Sequence, residues 1–383
     1  MALRAGRIYN AELELLDIYA RMDLCNENSD RAISHPGRRR DVDEQIAAAI
    51  DASMKKPNRL YGWRVQAMFE AVVIALGTVQ LIKQEDGGTF YHDDAKGSMS
   101  LPDFRIVTAK GETLFVEVKN VAPKERIKSR KQRKGDVDDL RRYADLNGAR
   151  LVYAHYWSSP NIWTVVDADR FESDSGAADK LLLSFESAFI ANEFGKLGDA
   201  QIATIPPLQL RVRSTSSGPS FEPSNAREIA GEFGVKINGD VEIVAGEKTL
   251  TDPVEQRIAM FALMYGAWEH ENQELFENGR ATGVSVNATP LVAGPQDVQY
   301  IAQQGFAIIG FLSAMFSSMY NSLTLTSAGD VRALRHEPDP GMLSRLVPTN
   351  YWNRTGRSLP VWKFQIQTQD ENITDENSLY RTS

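Results

Sequence analysis

Hydrophobic and polar positions follow two different patterns between Leu60 and Val166. The stretch from Leu60 to Gly77 is mostly apolar over a helical length and ends at a glycine, as helices often do. A second helix is indicated from Asp136 to about Leu146, stopped by Asn147-Gly148. Strand-like runs surround it, at Thr89–His92, Phe104–Ala109, Thr113–Val118, Leu151–Tyr156 and Trp163–Val166. The pattern predicts the order helix, three strands, helix, two strands, an α/β arrangement.

The chain before and directly after this block is predicted to be helical. Residues 1–58 form an N-terminal helical segment, with helices expected at Ala11–Leu24 and Asp41–Met54. The α/β block is expected to span residues 59–213. It includes a helical extension from Ala168 that ends in a strand-like run at Leu208–Val212.

A Ser-, Pro- and Gly-rich stretch, Ser214–Ser224, is the best linker candidate. Residues 214–364 are then predicted to form a mainly helical domain, with long helices at Asp252–Glu277 and Gln296–Ser322. Asn238-Gly239 marks a hairpin within Val235–Ile243. A helix-turn-helix reading of Ala226–Val235 is disfavoured because that hairpin leaves no recognition helix. Residues 365–383 are polar and are expected to form a tail.

Composition restricts the possible partners and cofactors. A chain of 383 residues with 42% hydrophobic residues can build two or three cores. Its net charge of −8 means that any polyanion must bind through a local basic patch. One cysteine, Cys25, excludes a disulfide framework within the chain, and the five histidines are too dispersed to suggest zinc.

One segment, Gly305–Tyr320, has the apolar character of a membrane helix. It is shorter than the roughly 20 residues a spanning helix needs and contains three serines, so a buried helix is the expectation. The first 17 residues contain acidic positions and no continuous apolar region. We therefore expect a cytoplasmic protein without membrane contact, and membrane association through this segment is the weaker alternative.

Three residues between the second and third predicted strands can carry chemistry. A three-residue turn centred on Lys110 places Asp103 opposite Glu117, within about 5 Å across the hairpin. Glu117 and Lys119 then share one face of their strand. Two carboxylates this close repel each other unless a cation or a lysine lies between them. The blander alternatives are that Asp103 only opens a strand and that Glu117 and Lys119 form a solvated edge.

Pro102-Asp103, a hairpin-length gap and Glu117-Val118-Lys119 resemble the PD-(D/E)xK nuclease superfamily, over about Leu60–Val166. The resemblance implies a restriction-endonuclease-like core, a central mixed sheet flanked by helices. With the flanking predictions, the expected fold is this α/β core, N-terminal helices and a mainly helical C-terminal domain. One departure is Asp139, which stands where a related branch often has glutamine; that role is not carried over.

The resemblance also implies roles for individual residues. Asp103, Glu117 and Lys119 would be catalytic, and Mg²⁺ (or Mn²⁺) would be held by Asp103, Glu117 and the Val118 carbonyl. Glu70, on the preceding helix, is expected as a further metal ligand, because it borders an apolar face and a partly buried carboxylate needs a partner. The alternative for Glu70 is an ordinary helix-surface position.

A dense basic run follows the Lys119 strand in this acidic chain. Usually such a run is a solvated loop, but its position next to the expected site favours contact with a phosphate backbone. The candidate nucleic-acid-binding residues are Lys124, Arg126, Lys128, Arg130, Lys131, Arg133 and Lys134.

The sequence therefore predicts a Mg²⁺-dependent deoxyribonuclease, with DNA favoured over RNA because the resemblance points that way. By analogy alone the biological role is host defence, restriction or repair. The rival prediction is a catalytically silent, nuclease-like subunit for binding or assembly. Its motivation is the long apolar C-terminal helices, which would dock a second copy or a protein partner.

Overall fold

A computed structural model describes most of the chain between residues 34 and 364. The described ranges are 34–85, 90–93, 97–121, 129–204, 208–214, 222–223, 235–236, 239–290 and 307–364, with a few residues before 34. Residues 226–234, for which a helix-turn-helix was considered and disfavoured, the polar tail and Lys124, Arg126 and Lys128 lie outside them. Among the helices described, none has the length and apolar character required to cross a membrane.

The described helices and strands are numbered here in chain order. The helices are α1 (Pro36–Met54), α2 (Pro57–Leu76), α3 (Lys134–Leu146), α4 (Phe185–Ile190), α5 (Pro253–Tyr265), α6 (Leu312–Thr324), α7 (Met342–Leu346) and α8 (Thr349–Trp352). The first nine strands are β1 (Leu81–Gln84), β2 (Phe104–Val107), β3 (Thr113–Val121), β4 (Ser129–Arg133), β5 (Arg150–Trp157), β6 (Ile162–Asp167), β7 (Glu172–Ser173), β8 (Lys180–Ser184) and β9 (Gln201–Thr204). The others are β10 (Leu208–Ser214), β11 (Glu222–Pro223), β12 (Val235–Lys236), β13 (Gly239–Ala245), β14 (Lys248–Thr249), β15 (Trp268–Glu277), β16 (Arg280–Pro290), β17 (Ala307–Phe311) and β18 (Val361–Phe364).

A mixed five-stranded sheet forms the centre of the fold, in the order β1-β2-β3-β5-β6. Its pairs are antiparallel except β3 and β5, which run parallel and are connected through α3. This requires a crossover, because parallel strands cannot be joined by a tight turn. The predicted order of helix, three strands, helix and two strands holds for the strands of this sheet, whereas β4, within the segment predicted to be polar, adds a fourth strand before α3. The first strand was misplaced, since β1 occupies the sheet edge, whereas Phe90–His92 is not a strand and is exposed.

Helix α2 covers one face of this sheet. Ten of its residues are buried, and the helix ends at Gly77, whose φ of 68° is the left-handed conformation that glycine adopts without strain. Phe69 packs against Phe104 and Trp163 with ring centroids 5.8 and 5.5 Å apart. The opposite face packs on α3 through a second apolar cluster that includes Phe115 and Tyr153. The sheet is therefore enclosed on both sides.

The helical extension predicted from Ala168 onward was wrong for most of its length. The chain instead forms β7 and β8, which join β4 in a small three-stranded sheet, then the short helix α4, β9 and β10. The turn between β7 and β8 uses Asp174, whose Oδ1 accepts a hydrogen bond of 3.0 Å from the Gly176 amide. Short Asp, Ser and Gly turns of this kind reverse a chain and do not continue a helix.

The mainly helical character predicted for residues 214–364 was also wrong. A five-stranded sheet, β14-β13-β10-β16-β15, lies in this region, and the predicted helix Asp252–Glu277 ends at Tyr265. The rest of the predicted helix is strand β15, which is reversed into β16 by a hairpin turn at Asn278-Gly279, with φ values of 50° and 78°. The hairpin turn expected at Asn238-Gly239 falls partly on residues 237–238, which lie outside the described residues; β13, which begins at Gly239, pairs with β10 and β14.

Helix α6 is a buried helix, as expected for the apolar segment in which it lies, although the residues just before it form strand β17. Its N-terminus is fixed by Asp199, whose carboxylate accepts bonds from the Ser313 amide (2.9 Å) and hydroxyl (2.6 Å). Trp163 of the central sheet donates a 2.9 Å bond to Ser317. The main apolar cluster accordingly contains residues from Val65 to Val361. The domain limits at residues 58, 213 and 364 stay predictions.

Candidate active site

The β2–β3 hairpin sets the geometry of the candidate site. Phe104 pairs with Val116 and Val107 with Thr113, so the register continues to place Asp103 opposite Glu117. The turn closes with Gly111 at a φ of 87°, and its amide donates to the Thr108 carbonyl at 2.9 Å. The sequence-based register is thereby confirmed.

Asp103 is fixed by two donors at the end of the sheet. Its side chain is almost buried, with 6% of the residue exposed. One carboxylate oxygen accepts from the Val118 amide at 2.6 Å, and the other accepts from the Gln66 side-chain amide at 2.6 Å. Hydrogen bonds to an ionised acceptor are stronger than neutral ones. They hold this carboxylate in one orientation and leave lone pairs for a further ligand.

Glu117 and Lys119 lie together on the face of β3 toward α3. Their alternation along the strand brings Lys119 Nζ to 2.5 Å from Glu117 Oε1, and Glu117 is only 9% exposed. Two carboxylates, Asp103 and Glu117, therefore share the site with one ammonium group from Lys119. If all three are ionised, the local charge is −1 in a weakly hydrated place, an arrangement that favours a bound cation.

The donor set suits a hard cation. In the part of the chain that the structure describes, no group of three or more His, Cys, Asp or Glu side chains is placed to hold a metal. A site here would combine two carboxylates with backbone oxygen and water, the ligand type that Mg²⁺ accepts in proteins. Zinc prefers nitrogen and sulfur ligands.

Helix α2 contributes Gln66 as a hydrogen-bond partner of Asp103, whereas the residue predicted from this helix was Glu70, as a further metal ligand. The two residues are one turn apart on the same side of the helix. Glu70 instead faces Arg335, with a guanidinium nitrogen 3.3 Å from its carboxylate, and burial raises the pKa of Glu70 above its usual value. The structure thus brings Asp103, Glu117 and Lys119 together and places Glu70 on a different partner. A search restricted to helical carboxylates misses the amide of Gln66.

The basic run divides into two faces where it is described. Within β4, Arg130 and Gln132 point inward, whereas Lys131 and Arg133 are exposed on the outer face. Lys131 pairs with Asp174 at 2.6 Å. Lys134 begins α3 and is exposed. Of the predicted basic run, Lys131, Arg133 and Lys134 are therefore exposed, whereas Arg130 is half-buried, and contact of this run with nucleic acid stays a prediction.

Two aromatic residues of β5 belong to the site's surroundings and were not singled out from sequence. Tyr153 is opposite Glu117 and His155 is opposite Lys119 in the parallel register. Burial, followed by the charge of Glu117, raises the pKa of Tyr153. Burial, followed by the charges of Arg130 and Lys119, lowers the pKa of His155 to about 3, so its imidazole is neutral. Alternation along β5 was the signal that could have placed them.

A second polar cleft, of about 630 Å³, surrounds Arg150 at the start of β5. Arg150 bonds to Glu112, Asp167 and Glu193 at 2.8, 2.6 and 2.9 Å. Its guanidinium is thus already saturated by carboxylates, which raise its pKa against the opposing effect of burial. This arrangement joins the three segments that carry Glu112, Asp167 and Glu193, and these carboxylates are already engaged by Arg150.

Comparison with known proteins gives a limited likeness. No family model and no curated protein matches the chain. Solved structures that match include a Holliday junction resolvase from Archaeoglobus fulgidus, an archaeal hyperthermophile, with a TM-score of 0.27 and 14% identity. The alignment covers 36% of this chain and 96% of the resolvase. The architecture itself, a mixed central sheet between helices, is compatible with a nuclease-like fold.

Proposed function

We propose that the chain is a metal-dependent nuclease with a PD-(D/E)xK core, hydrolysing phosphodiester bonds in DNA. One observation carries the proposal. Asp103 and Glu117 face each other across a hairpin, and the Lys119 ammonium is 2.5 Å from Glu117. The order of elements around them, with α2 before the hairpin and the α3 crossover after it, supports the same core.

The metal ligands would be Asp103, Glu117 and the Val118 carbonyl, with Mg²⁺ or Mn²⁺ as the ion. The bound ion would neutralise the phosphate and lower the pKa of a water molecule for attack. Gln66 would keep Asp103 oriented. For Glu70 to serve as an additional ligand, it would have to exchange the Arg335 guanidinium for the ion.

Lys119 would orient the attacking water and stabilise the charge that develops on the scissile phosphate. Its side chain is 29% exposed, compared with 12% for Glu117, so the ammonium group is accessible from solvent. In the free protein it compensates part of the carboxylate charge.

Substrate binding is assigned to the cations that follow β3. The candidate cations are Lys124, Arg126, Lys128, Arg130, Lys131, Arg133 and Lys134, of which Lys131, Arg133 and Lys134 are exposed in the described part of the run. A local patch is required because the chain carries a net charge of −8. We infer DNA rather than RNA, and a role in host defence, restriction or repair in a cytoplasmic setting, from the resemblance alone.

Cleavage of supercoiled plasmid tests this proposal directly. Purified protein with Mg²⁺ is expected to cut, whereas EDTA, Asp103→Asn and Lys119→Ala are expected to abolish cutting. Lys110→Ala is the matched control, since this lysine is exposed at the turn of the same hairpin. Cutting that survives Asp103→Asn and Lys119→Ala would refute the site.

A binding or assembly subunit is the second candidate function. A groove of about 420 Å³ lies between α5 and α7 and is lined mainly by apolar side chains, Met260, Phe261, Met264, Tyr265, Met342 and Leu346. Met264 is 61% exposed, which is typical of a contact surface. Absence of cleavage on all DNA and RNA substrates, with nucleic-acid binding retained, would favour this candidate.

A further inference from the structure

An arginine from the C-terminal half of the chain reaches the α/β core close to the candidate site. Arg335 lies after α6 in a stretch that is neither helix nor strand. One guanidinium nitrogen is 3.3 Å from the Glu70 carboxylate on α2, and another is 3.2 Å from the side-chain oxygen of Gln84 on β1. Arg335 therefore bridges the helix and the edge strand of the central sheet.

This bridge is adjacent to Asp103 through both of its partners. Glu70 lies one helical turn after Gln66, whose side-chain amide donates to the Asp103 carboxylate at 2.6 Å. Gln84 pairs with Phe104, the residue that follows Asp103. One helical turn rises only about 5.4 Å and one strand residue only about 3.3 Å. The guanidinium thus lies beside the candidate site, on the side that α2 covers.

The backbone around Arg335 is fixed without help from its side chain. On one side the Ala333 amide donates to the Thr324 carbonyl at 3.2 Å, and on the other the Gly341 amide donates to the Ile74 carbonyl at 2.9 Å. These bonds tie the segment to α6 and to α2, so an ion pair made by the guanidinium is not needed to hold it. A side chain that is already oriented loses little conformational entropy when it binds a ligand.

The pairing with Glu70 leaves much of the guanidinium accessible. The Arg335 side chain is 60% exposed, compared with 24% for Glu70. Exposed ion pairs contribute little to stability. A guanidinium has five N–H donors in a planar fork that matches phosphate oxygens, and two acceptors do not use them all. Arg335 is therefore an ordered cation at the surface of the site, with donors left for an anion.

We propose that Arg335 binds a backbone phosphate of duplex DNA close to the scissile linkage, on the α2 side of the site. This inference rests on the proposed function and deepens it, because it names a substrate contact that the C-terminal half supplies. The predicted basic run follows β3 toward α3, and α2 and α3 cover opposite faces of the central sheet. With a net charge of −8 on the chain, cations on both sides of the carboxylates favour the approach of a polyanion.

Binding of a labelled DNA duplex in EDTA tests this contact without cleavage. Arg335→Gln is expected to weaken binding about tenfold at low salt, the worth of one charge-assisted contact, and to reduce the salt slope by about 1. Arg335→Lys should keep the wild-type slope and recover part of the affinity, since lysine retains the charge but not the fork.

Arg345→Gln is the matched control. Arg345 belongs to the same half of the chain, is 59% exposed and is also paired with one carboxylate, that of Asp339, but it lines the groove beside α5. Its substitution should leave affinity and salt slope as in the wild type. Equal losses in Arg335→Gln and Arg345→Gln, or a wild-type slope in Arg335→Gln, would overturn the contact.

A double-mutant cycle distinguishes contact with phosphate from an effect exerted through Glu70. Glu70→Gln removes the carboxylate charge and keeps an oxygen that can accept from the guanidinium. In this background Arg335→Gln should still weaken duplex binding about tenfold. If it has no effect there, Arg335 only compensates the charge of Glu70, and the proposed contact is overturned.

These outcomes are separate from those of the plasmid assay. Cleavage that depends on Asp103, together with binding that does not respond to Arg335, would keep the nuclease and overturn the contact. Binding that responds to Arg335 without any cleavage would keep the contact and refute the nuclease. Failure of the wild type to bind the duplex at all would overturn the contact, whatever the result of the plasmid assay.

Discussion

Substitution of Asp103 separates its contribution to folding from its proposed chemistry. The carboxylate accepts 2.6 Å bonds from the Val118 amide and the Gln66 side chain. In Asp103→Asn the remaining oxygen can serve the Val118 amide, and the Gln66 amide can turn to offer its own oxygen to the new NH₂ group. Both bonds persist but lose their charge assistance, which costs about 1 kcal/mol each.

Asp103→Ala has a larger expected cost. Val118 is 5% exposed, so its amide would be left as a buried donor without a partner, adding about 1–3 kcal/mol to the loss of both bonds. Relief of repulsion with Glu117 offsets part of the cost equally in the two variants. The difference between the two variants is therefore the sharper quantity. Asp103→Ala loses the two neutral bonds that Asp103→Asn keeps, about 1 kcal/mol each, and has the unpaired amide in addition, so we expect it to be less stable by about 3–5 kcal/mol.

Urea unfolding of the two variants measures this difference, and hydrogen exchange at the Val118 amide measures the local opening. Gln66→Ala should destabilise the wild type by about 1 kcal/mol and have almost no effect in the Asp103→Ala background, where its partner is gone. Equal unfolding midpoints for Asp103→Asn and Asp103→Ala, or strictly additive effects of Gln66→Ala, would refute the assigned contacts.

Three further predictions concern other parts of the molecule. Gln66→Leu should reduce Mg²⁺-dependent plasmid cleavage at least tenfold and Glu70→Gln by less than threefold; the reverse order would restore Glu70 as the ligand. Because His155 has a folded pKa of about 3 and an unfolded value of about 6.5, only the unfolded state gains its proton between these pH values. Acidification from pH 7 to pH 5 should therefore destabilise the wild type by about 2 kcal/mol more than His155→Phe in urea unfolding, and identical pH profiles would contradict the burial. Gly77→Ala places a Cβ 2.8 Å from a backbone carbon, whereas the Cβ of Gly111→Ala meets nothing within 4 Å. Both substitutions put a side chain on a residue with left-handed φ, which is strained. The melting temperature of Gly77→Ala should therefore be lower than that of Gly111→Ala.

The candidate site illustrates how far local sequence reasoning extends. Counting from the turn at Lys110 was sufficient to pair Asp103 with Glu117, since a hairpin register follows from its loop. Alternation along β3 placed Lys119 beside Glu117. Both relations depend only on residues close in sequence, and the structure has both.

The partner on helix α2 required tertiary information. Gln66 and Glu70 share one side of the helix, and the rotation of α2 over the sheet decides which of them reaches Asp103. Arg335, which is distant in sequence, also forms an ion pair with Glu70, with a guanidinium nitrogen 3.3 Å from the carboxylate. Propensity alone could not supply either fact.

In the C-terminal half, the hydrophobic pattern led to a wrong prediction of helix up to Glu277. The run ending at Glu277 has helix-forming residues, yet Asn278-Gly279 reverses the chain and pairs β15 with β16 over most of their length. The same Asn-Gly signal was in the sequence, but it was interpreted as a hairpin turn only at Asn238-Gly239. Formation of the larger sheet also required β10, about 70 residues earlier, to pair with β16.

By itself the sequence determined the local relations: the α2–hairpin–α3 order, the facing carboxylates and the lysine beside them. Only the tertiary structure decided the neighbours brought from elsewhere, namely Gln66 on Asp103, Arg335 on Glu70, and His155 beside Lys119. The physical reason is that backbone geometry fixes contacts between residues of one hairpin, whereas contacts between separate elements depend on how apolar faces pack across the whole core.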